Sequence, residues 1–147
     1  MSPPIKIELE TWDGTLSKCE RFNDPTSEML HEALSRLDGN RVDCVWIEID
    51  DVGALSIGGG PFQFLVASFP KDGSSSHVVN SHHNGGTTEL QVGGQTGVYP
   101  SEMVMKASPA FAIAERFLEF RTYDPALNWV VDCPVPRSSY DNDAKPL

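Results

Sequence analysis

The chain has 147 residues, a length that favours one domain with a single hydrophobic core. Its 12 glycines and 11 prolines indicate many turns and long connections. The formal net charge of −10 disfavours DNA, RNA and anionic membranes as direct ligands, since binding to them needs clustered Lys and Arg side chains. A basic partner is favoured instead.

The first elements in chain order are two strands and a helix. Apolar and charged residues alternate over residues 5–10, which is the period of a half-buried strand, and a second extended piece follows at 19–22. Asp24 before Pro25 is typical of a helix N-cap followed by proline at the first helical position. Apolar residues at helical spacing then continue to Leu37, so we expect the first helix here.

The middle of the chain predicts an antiparallel meander. A strand over 44–49 should turn tightly at 50–53 into an antiparallel partner at 54–57. A further strand is expected over 63–69 after a glycine-rich interruption. The stretch 71–86 is rich in Ser, Gly, Asn and His, and this composition predicts a mobile loop.

The last third predicts two more strands, a second helix and a short closing strand. The extended segments are 87–92 and 95–99, and Ser108 before Pro109 repeats the N-cap signal of the first helix. A final strand carries Trp129 over 127–132.

These elements together predict an α+β fold, with an antiparallel β meander packed against two α-helices in a single domain. We expect that domain to span residues 1–132 and a flexible polar C-terminal tail to span 133–147.

The cysteine pattern and the absence of long apolar runs indicate in which cellular compartment the chain is expected. Cys19, Cys44 and Cys133 lack metal or redox spacing, so we expect free thiols in a reducing environment. The start of the chain lacks the apolar stretch of a secretion signal, and no run of about 18 apolar residues occurs. A cytoplasmic location is therefore predicted.

No residue pattern requires a cofactor, a metal or a catalytic site. His82 and His83 are adjacent and would point in opposite directions in a strand, and no Cys or carboxylate stands at ligand spacing. Glu8, Glu10 and Glu48 lie on predicted wet strand faces, where solvation explains them better than acid–base catalysis. We therefore expect a non-enzyme without cofactor or metal.

Several segments carry a resemblance to a known family. They are Leu55-Ser56-Ile57-Gly58, Phe64-Leu65-Val66, Phe69-Pro70, Leu90-Gln91-Val92-Gly93-Gly94-Gln95, Tyr99-Pro100, Ala114-Glu115-Arg116-Phe117-Leu118, Tyr123-Asp124-Pro125 and Asn128-Trp129. In this order, over about residues 42–132, they resemble the bacterial immunity protein family one. The resemblance implies a non-catalytic inhibitor that captures a cognate polymorphic toxin domain, such as a nucleic-acid deaminase or nuclease, and protects the producing cell in interbacterial competition.

A toxin domain that grips a phosphate backbone needs a basic cleft, and an acidic protein is attracted to such a cleft. Tight inhibition also needs desolvated aromatic anchors. The candidate contact residues are Trp46, Glu48, Asp50, Asp51, Phe62, Tyr99 and Glu102.

Two other functions remain open from the sequence. A secretion adaptor or chaperone would bind an effector without neutralising it. A small hydrolase would instead use clustered carboxylates in a deep pocket. The sequence does not indicate the oligomeric state.

Overall fold

The computed structural model describes residues 4–80 and 85–134, and most of its elements follow the hydrophobic patterns of the sequence. The strands are β1 (Ile5–Asp13), β2 (Leu16–Asn23), β3 (Cys44–Ile49), β4 (Gly53–Gly59), β5 (Phe64–Pro70), β6 (Ser75–Val78), β7 (Thr87–Val92), β8 (Gln95–Pro100), β9 (Val104–Met105) and β10 (Trp129–Cys133). The helices are α1 (Ser27–Ser35) and α2 (Ala107–Phe120), and a 3₁₀ turn covers Ser101–Met103.

The main sheet is antiparallel throughout. Its strand order is β10-β6-β5-β4-β3-β1-β2, with the short β9 paired to β5. Strands β3 to β6 follow one another as a meander. The first hairpin, β1 and β2, joins this meander through β1, which pairs with β3, and α1 connects β2 to β3 along the chain. The predicted α+β class with an antiparallel sheet and two helices is thus observed in a single domain.

Strands β7 and β8 do not extend the predicted meander. They form a separate two-stranded sheet, here called the β7–β8 hairpin. An added Cβ at Gly58 on β4 would lie 2.7 Å from a methyl carbon of Val92, so the hairpin packs directly against the main sheet. Local strand signals cannot distinguish these two arrangements, because both satisfy the same alternation.

The predicted mobile loop over 71–86 is wrong for part of its length. Ser75–Val78 forms β6, which pairs with β5 and with β10. The residues of β10 that pair with β6 lie more than 50 residues away along the chain. A polar segment that forms a strand through such a distant partner has little strand signal in its own sequence. His82 and His83 lie outside the described residues.

Both helices begin at residues other than those predicted. The N-cap of α1 is Thr26, whose Oγ1 accepts from the Met29 N–H at 3.2 Å, while Asp24 has a positive φ of 49°. The N-cap of α2 is Lys106 and not Ser108. Pro109 is tolerated inside the first turn, where backbone N–H groups lack intrahelical partners.

One hydrophobic core contains side chains of the sheet and of both helices. Alternate residues of β1 and β3 are buried, and α1 and α2 contribute Leu30, Leu34, Ala114 and Phe117 among others. The opposite side chains of the strands lie on what we call the outer face of the sheet. Within the described ranges, neither helix is both long and apolar enough to span a bilayer.

The predicted tail begins at residue 133, but Cys133 is the last residue of β10. Most of that predicted tail, residues 135–147, lies outside the described residues.

Candidate functional site

The outer face of β1 and β3 carries charged and aromatic side chains. Lys6 Nζ lies 3.6 Å from a carboxylate oxygen of Glu8 and 3.6 Å from one of Glu48. Arg21 Nε on β2 donates to Glu8 Oε1 at 2.7 Å. Glu8 and Glu48 are therefore held in ion pairs with cations, which disfavours a pair of carboxylates working as acid and base.

Trp46 is the main aromatic residue of this face. It stands directly opposite Glu8 on β1, and its ring contacts that of Phe69 on β5, with centroids 5.1 Å apart and planes at 46°. Trp46 is half-buried, and Phe69 is 38% exposed. The pair forms an apolar patch next to the charged residues of β1.

The β7–β8 hairpin is attached to one end of the outer face by a buried carboxylate. Asp43, which is 1% exposed, precedes β3, and its Oδ2 accepts from the Gly94 N–H at 2.7 Å and from Gln91 Nε2 at 2.9 Å. Gln91 Nε2 also donates to the Asn40 carbonyl at 2.9 Å. These bonds satisfy a carboxylate that would otherwise be costly to bury.

The Gly93–Gly94 turn of the hairpin lies close to Trp12 at the end of β1. A Cβ at Gly94 would stand 2.7 Å from the indole Cζ2, and Gly94 has a φ of +81°, so glycine suits both the contact and the turn. Trp12 Nε1 is the one buried side-chain polar atom without a hydrogen-bond partner in the described part of the chain. Leaving such a donor unsatisfied costs about 1–3 kcal/mol.

A groove of about 260 Å³ lies between the hairpin and the sheet, and we call it the outer-face groove. Its lining combines carboxylates, two tryptophans and two thiols. The lining residues are Glu8, Leu9, Glu10, Trp12, Cys19, Asp43, Cys44, Trp46, Glu48, Val92 and Gly93.

The lining of this groove contains four carboxylates, those of Glu8, Glu10, Asp43 and Glu48, and no lysine or arginine among the described residues. Burial and, to a smaller extent, the nearby carboxylates of Asp43 and Glu10 together raise the pKa of the Cys44 thiol to about 12. Glu10 stands opposite Cys19 on β2 and lines the groove together with Cys44 on β3, and its carboxylate makes no ion pair or hydrogen bond within residues 4–80 and 85–134.

We expect the neutral Cys44 thiol to make stability decrease at alkaline pH. Its folded-state pKa of about 12 exceeds the usual value near 9, so its contribution is complete below pH 9 and is lost as the pH rises from 9 towards 12. Urea unfolding between about pH 7 and 10.5 should show a steeper loss for the wild type than for Cys44→Ala. Tyr123, whose pKa burial also raises to about 12, is present in both proteins. Parallel pH profiles would contradict the expectation.

The structure brings together only two of the predicted contact residues, Trp46 and Glu48, in the groove. Asp50 and Asp51 lie in the turn at the other end of β3, where Asp51 Oδ1 is 3.0 Å from Lys71 Nζ. Phe62 is 81% exposed in the β4–β5 connection and does not line the groove.

The other two predicted contact residues also lie elsewhere. Tyr99 is half-buried on β8, and Glu102 lies in the 3₁₀ turn, where its carbonyl accepts from the Asn80 N–H at 2.6 Å. The groove is also lined by Glu10, Trp12 and Cys44, which are not among the predicted contact residues. The two-residue alternation of β1 places Glu10 and Trp12 on the solvent-facing side of the strand, and this pattern is the sequence signal for their position on the outer face.

No protein-family model matches the chain, and no curated protein sequence matches it. The chain is similar to a solved structure. The match is to the "Crystal structure of a hypothetical protein from Neisseria gonorrhoeae", with a TM-score of 0.57 and 15% sequence identity. It covers 84% of this chain and 92% of the Neisseria chain. This likeness shows a shared fold.

Proposed function

We propose that this chain is an immunity protein that binds a cognate polymorphic toxin domain through its outer face and occludes the toxin's active cleft. The observation that carries the proposal is the outer-face groove, where an exposed Glu10 without an ion pair lies beside aromatic rings. Protein-binding surfaces combine such aromatic anchors with complementary charge.

The charge of the whole molecule supports a basic partner. Beyond Pro134, Arg137 and Lys145 balance Asp141 and Asp143, so the net charge of −10 lies within residues that the structure describes. A toxin domain that acts on nucleic acid carries a positive cleft, and an acidic inhibitor would be attracted to it over about 8 Å at physiological salt. The attraction raises the association rate.

The fold supports the choice of surface. In this proposal α1 and α2 pack against the inner face of the β3–β6 meander, and the outer face is left for the toxin. The Trp46–Phe69 pair would supply the desolvated contact, and the surrounding ion pairs would form a polar rim. The inhibitor would act in the cytoplasm of the producing cell, before the toxin reaches its substrate.

The proposal is tested by co-expressing the chain with the toxin domain encoded in the adjacent reading frame. We expect growth to be restored and the two proteins to elute together on gel filtration as a one-to-one complex. The association rate should fall as the salt concentration rises. Toxicity that continues unabated, with no complex, would refute the proposal.

A second experiment distinguishes inhibition of the toxin from binding that leaves the toxin active. A secretion adaptor or chaperone would form the complex but would leave the toxin active. Adding the purified chain to the purified toxin should therefore abolish turnover of the toxin's substrate at a one-to-one ratio. A stable complex with undiminished toxin activity would favour the adaptor function instead.

A further inference from the structure

The size of the outer-face groove limits what can enter it. Its volume of about 260 Å³ lies below the range of about 300–1,000 Å³ that is usual for sites of drug-sized ligands. The hairpin covers one end, where Val92 and Gly93 form part of the lining. The groove therefore has room for one extended side chain of a partner and not for a folded segment.

The charges of the groove favour a cation. Glu8 and Glu48 are compensated by Lys6 and Arg21, but Glu10 has no compensating cation within the described ranges. The nearby Asp43 carboxylate adds negative potential, although its Oδ2 is occupied by Gln91 and Gly94. A cation that entered the groove would thus meet one free carboxylate at its side.

A metal ion is a poor candidate for that cation. The described residues contain no group of three or more His, Cys, Asp or Glu that could hold one. Cys44 is buried, and the high pKa of its thiol keeps it from becoming the thiolate that a metal would need.

The aromatic rings favour a planar cation. Trp12, Trp46 and Glu10 all line the groove: Trp12 is the next outer-face residue of β1 after Glu10, and Trp46 is on the adjacent strand, opposite Glu8. A guanidinium group stacks on indole faces while its N–H groups bind a carboxylate in a fork. A lysine ammonium is more strongly hydrated and lacks this planar fit.

We infer that the outer-face groove binds one arginine side chain of a basic protein partner, with the guanidinium paired to Glu10 and stacked on Trp46. This inference rests on the proposed function, because it assigns an anchor residue to the toxin that the outer face would capture. Glu10 and Trp46 are then the groove residues that select arginine.

The test uses a short peptide in place of the unidentified toxin. The probe is acetyl-Gly-Gly-Arg-Gly-Gly-amide, titrated into the full ¹⁵N-labelled chain while indole N–H signals are followed by NMR. The matched probe replaces arginine with citrulline, which keeps the shape and removes the charge, with KCl added to hold the ionic strength. The protein variants are Glu10→Gln and, as a control, Glu28→Gln, an exposed carboxylate on α1 outside the groove.

We expect the arginine peptide to shift the Trp46 indole signal saturably and the citrulline peptide to leave it unchanged. Glu10→Gln should weaken peptide binding by about fivefold, and Glu28→Gln should leave it unchanged. Equal shifts with both peptides, or a Glu10→Gln affinity equal to that of the wild type, would overturn the inference.

The peptide experiment and the co-expression experiment fail independently. A wild-type chain that protects cells but shows no arginine-dependent shift would remove the arginine anchor and leave the inhibitor proposal standing. A chain that binds the arginine peptide selectively but does not protect cells would support the groove's preference and remove the proposal of a toxin partner.

Discussion

Replacing Asp43 with alanine is expected to lower the free energy of unfolding by about 3 kcal/mol. The Asp43 carboxylate is buried and accepts from the Gly94 N–H and from Gln91 Nε2. Its removal would leave the Gly94 N–H without its acceptor, would leave Gln91 Nε2 with the Asn40 carbonyl alone, and would also open a small void. Hydrogen bonds to a charged acceptor contribute more than neutral ones, which makes this loss large for a single polar residue.

Urea unfolding of the wild type, Asp43→Ala and Asp50→Ala would measure this effect. Asp50 is an exposed carboxylate at the other end of β3, so its replacement should change the unfolding free energy by less than about 0.5 kcal/mol. Hydrogen exchange of the Gly94 amide should also become faster in Asp43→Ala than expected from the global loss of stability. An Asp43→Ala protein as stable as Asp50→Ala would show that the hairpin is held by other contacts.

The sequence predicts best those elements whose burial pattern is local. Ile5, Ile7 and Leu9 alternate with charged residues and are buried in β1, and Val45 and Ile47 behave in the same way in β3. A period of two residues directly reports which face is buried, so these strands could be recognised without knowing their neighbours.

Features that depend on distant partners could not be predicted. β6 is a strand because β5 and β10 pair with it, and its own residues are mostly polar. Asp24 donates its N–H to the Ile5 carbonyl of β1 at 2.9 Å and has a left-handed conformation that an N-cap does not adopt, so Thr26 is the N-cap of α1. In each case the deciding interaction involves tertiary structure and not propensity.

The candidate site could be predicted only in part for the same reason. Trp46 and Glu48 belong to the outer face by alternation, so the sequence could place them on the face that carries the groove. The groove exists because the hairpin folds back over β1 and β3, held by Asp43. Alternation places Glu10 on the outer face, but Glu10 and Cys44 line a groove only through this long-range packing, which their local sequence does not report.

If the chain binds a toxin as proposed, replacing Trp46 with alanine is expected to weaken that binding by about 30-fold to 1,000-fold, equivalent to roughly 2–4 kcal/mol. The indole lines the outer-face groove and contacts Phe69, so its truncation would remove the proposed stacking surface and part of the apolar lining. Most of the loss should appear as faster dissociation, because the long-range charge that governs association is unchanged.

The measurement is the dissociation constant for the purified toxin domain by surface plasmon resonance or calorimetry, with unfolding curves recorded in parallel. Trp46→Phe keeps an aromatic surface and should recover part of the affinity. Phe62→Ala is the matched control, because Phe62 is a more exposed aromatic residue that lies outside the groove, and it should change the dissociation constant by less than about threefold. If Phe62→Ala weakens binding and Trp46→Ala does not, the toxin contacts the β4–β5 connection and the outer-face groove is not the binding site.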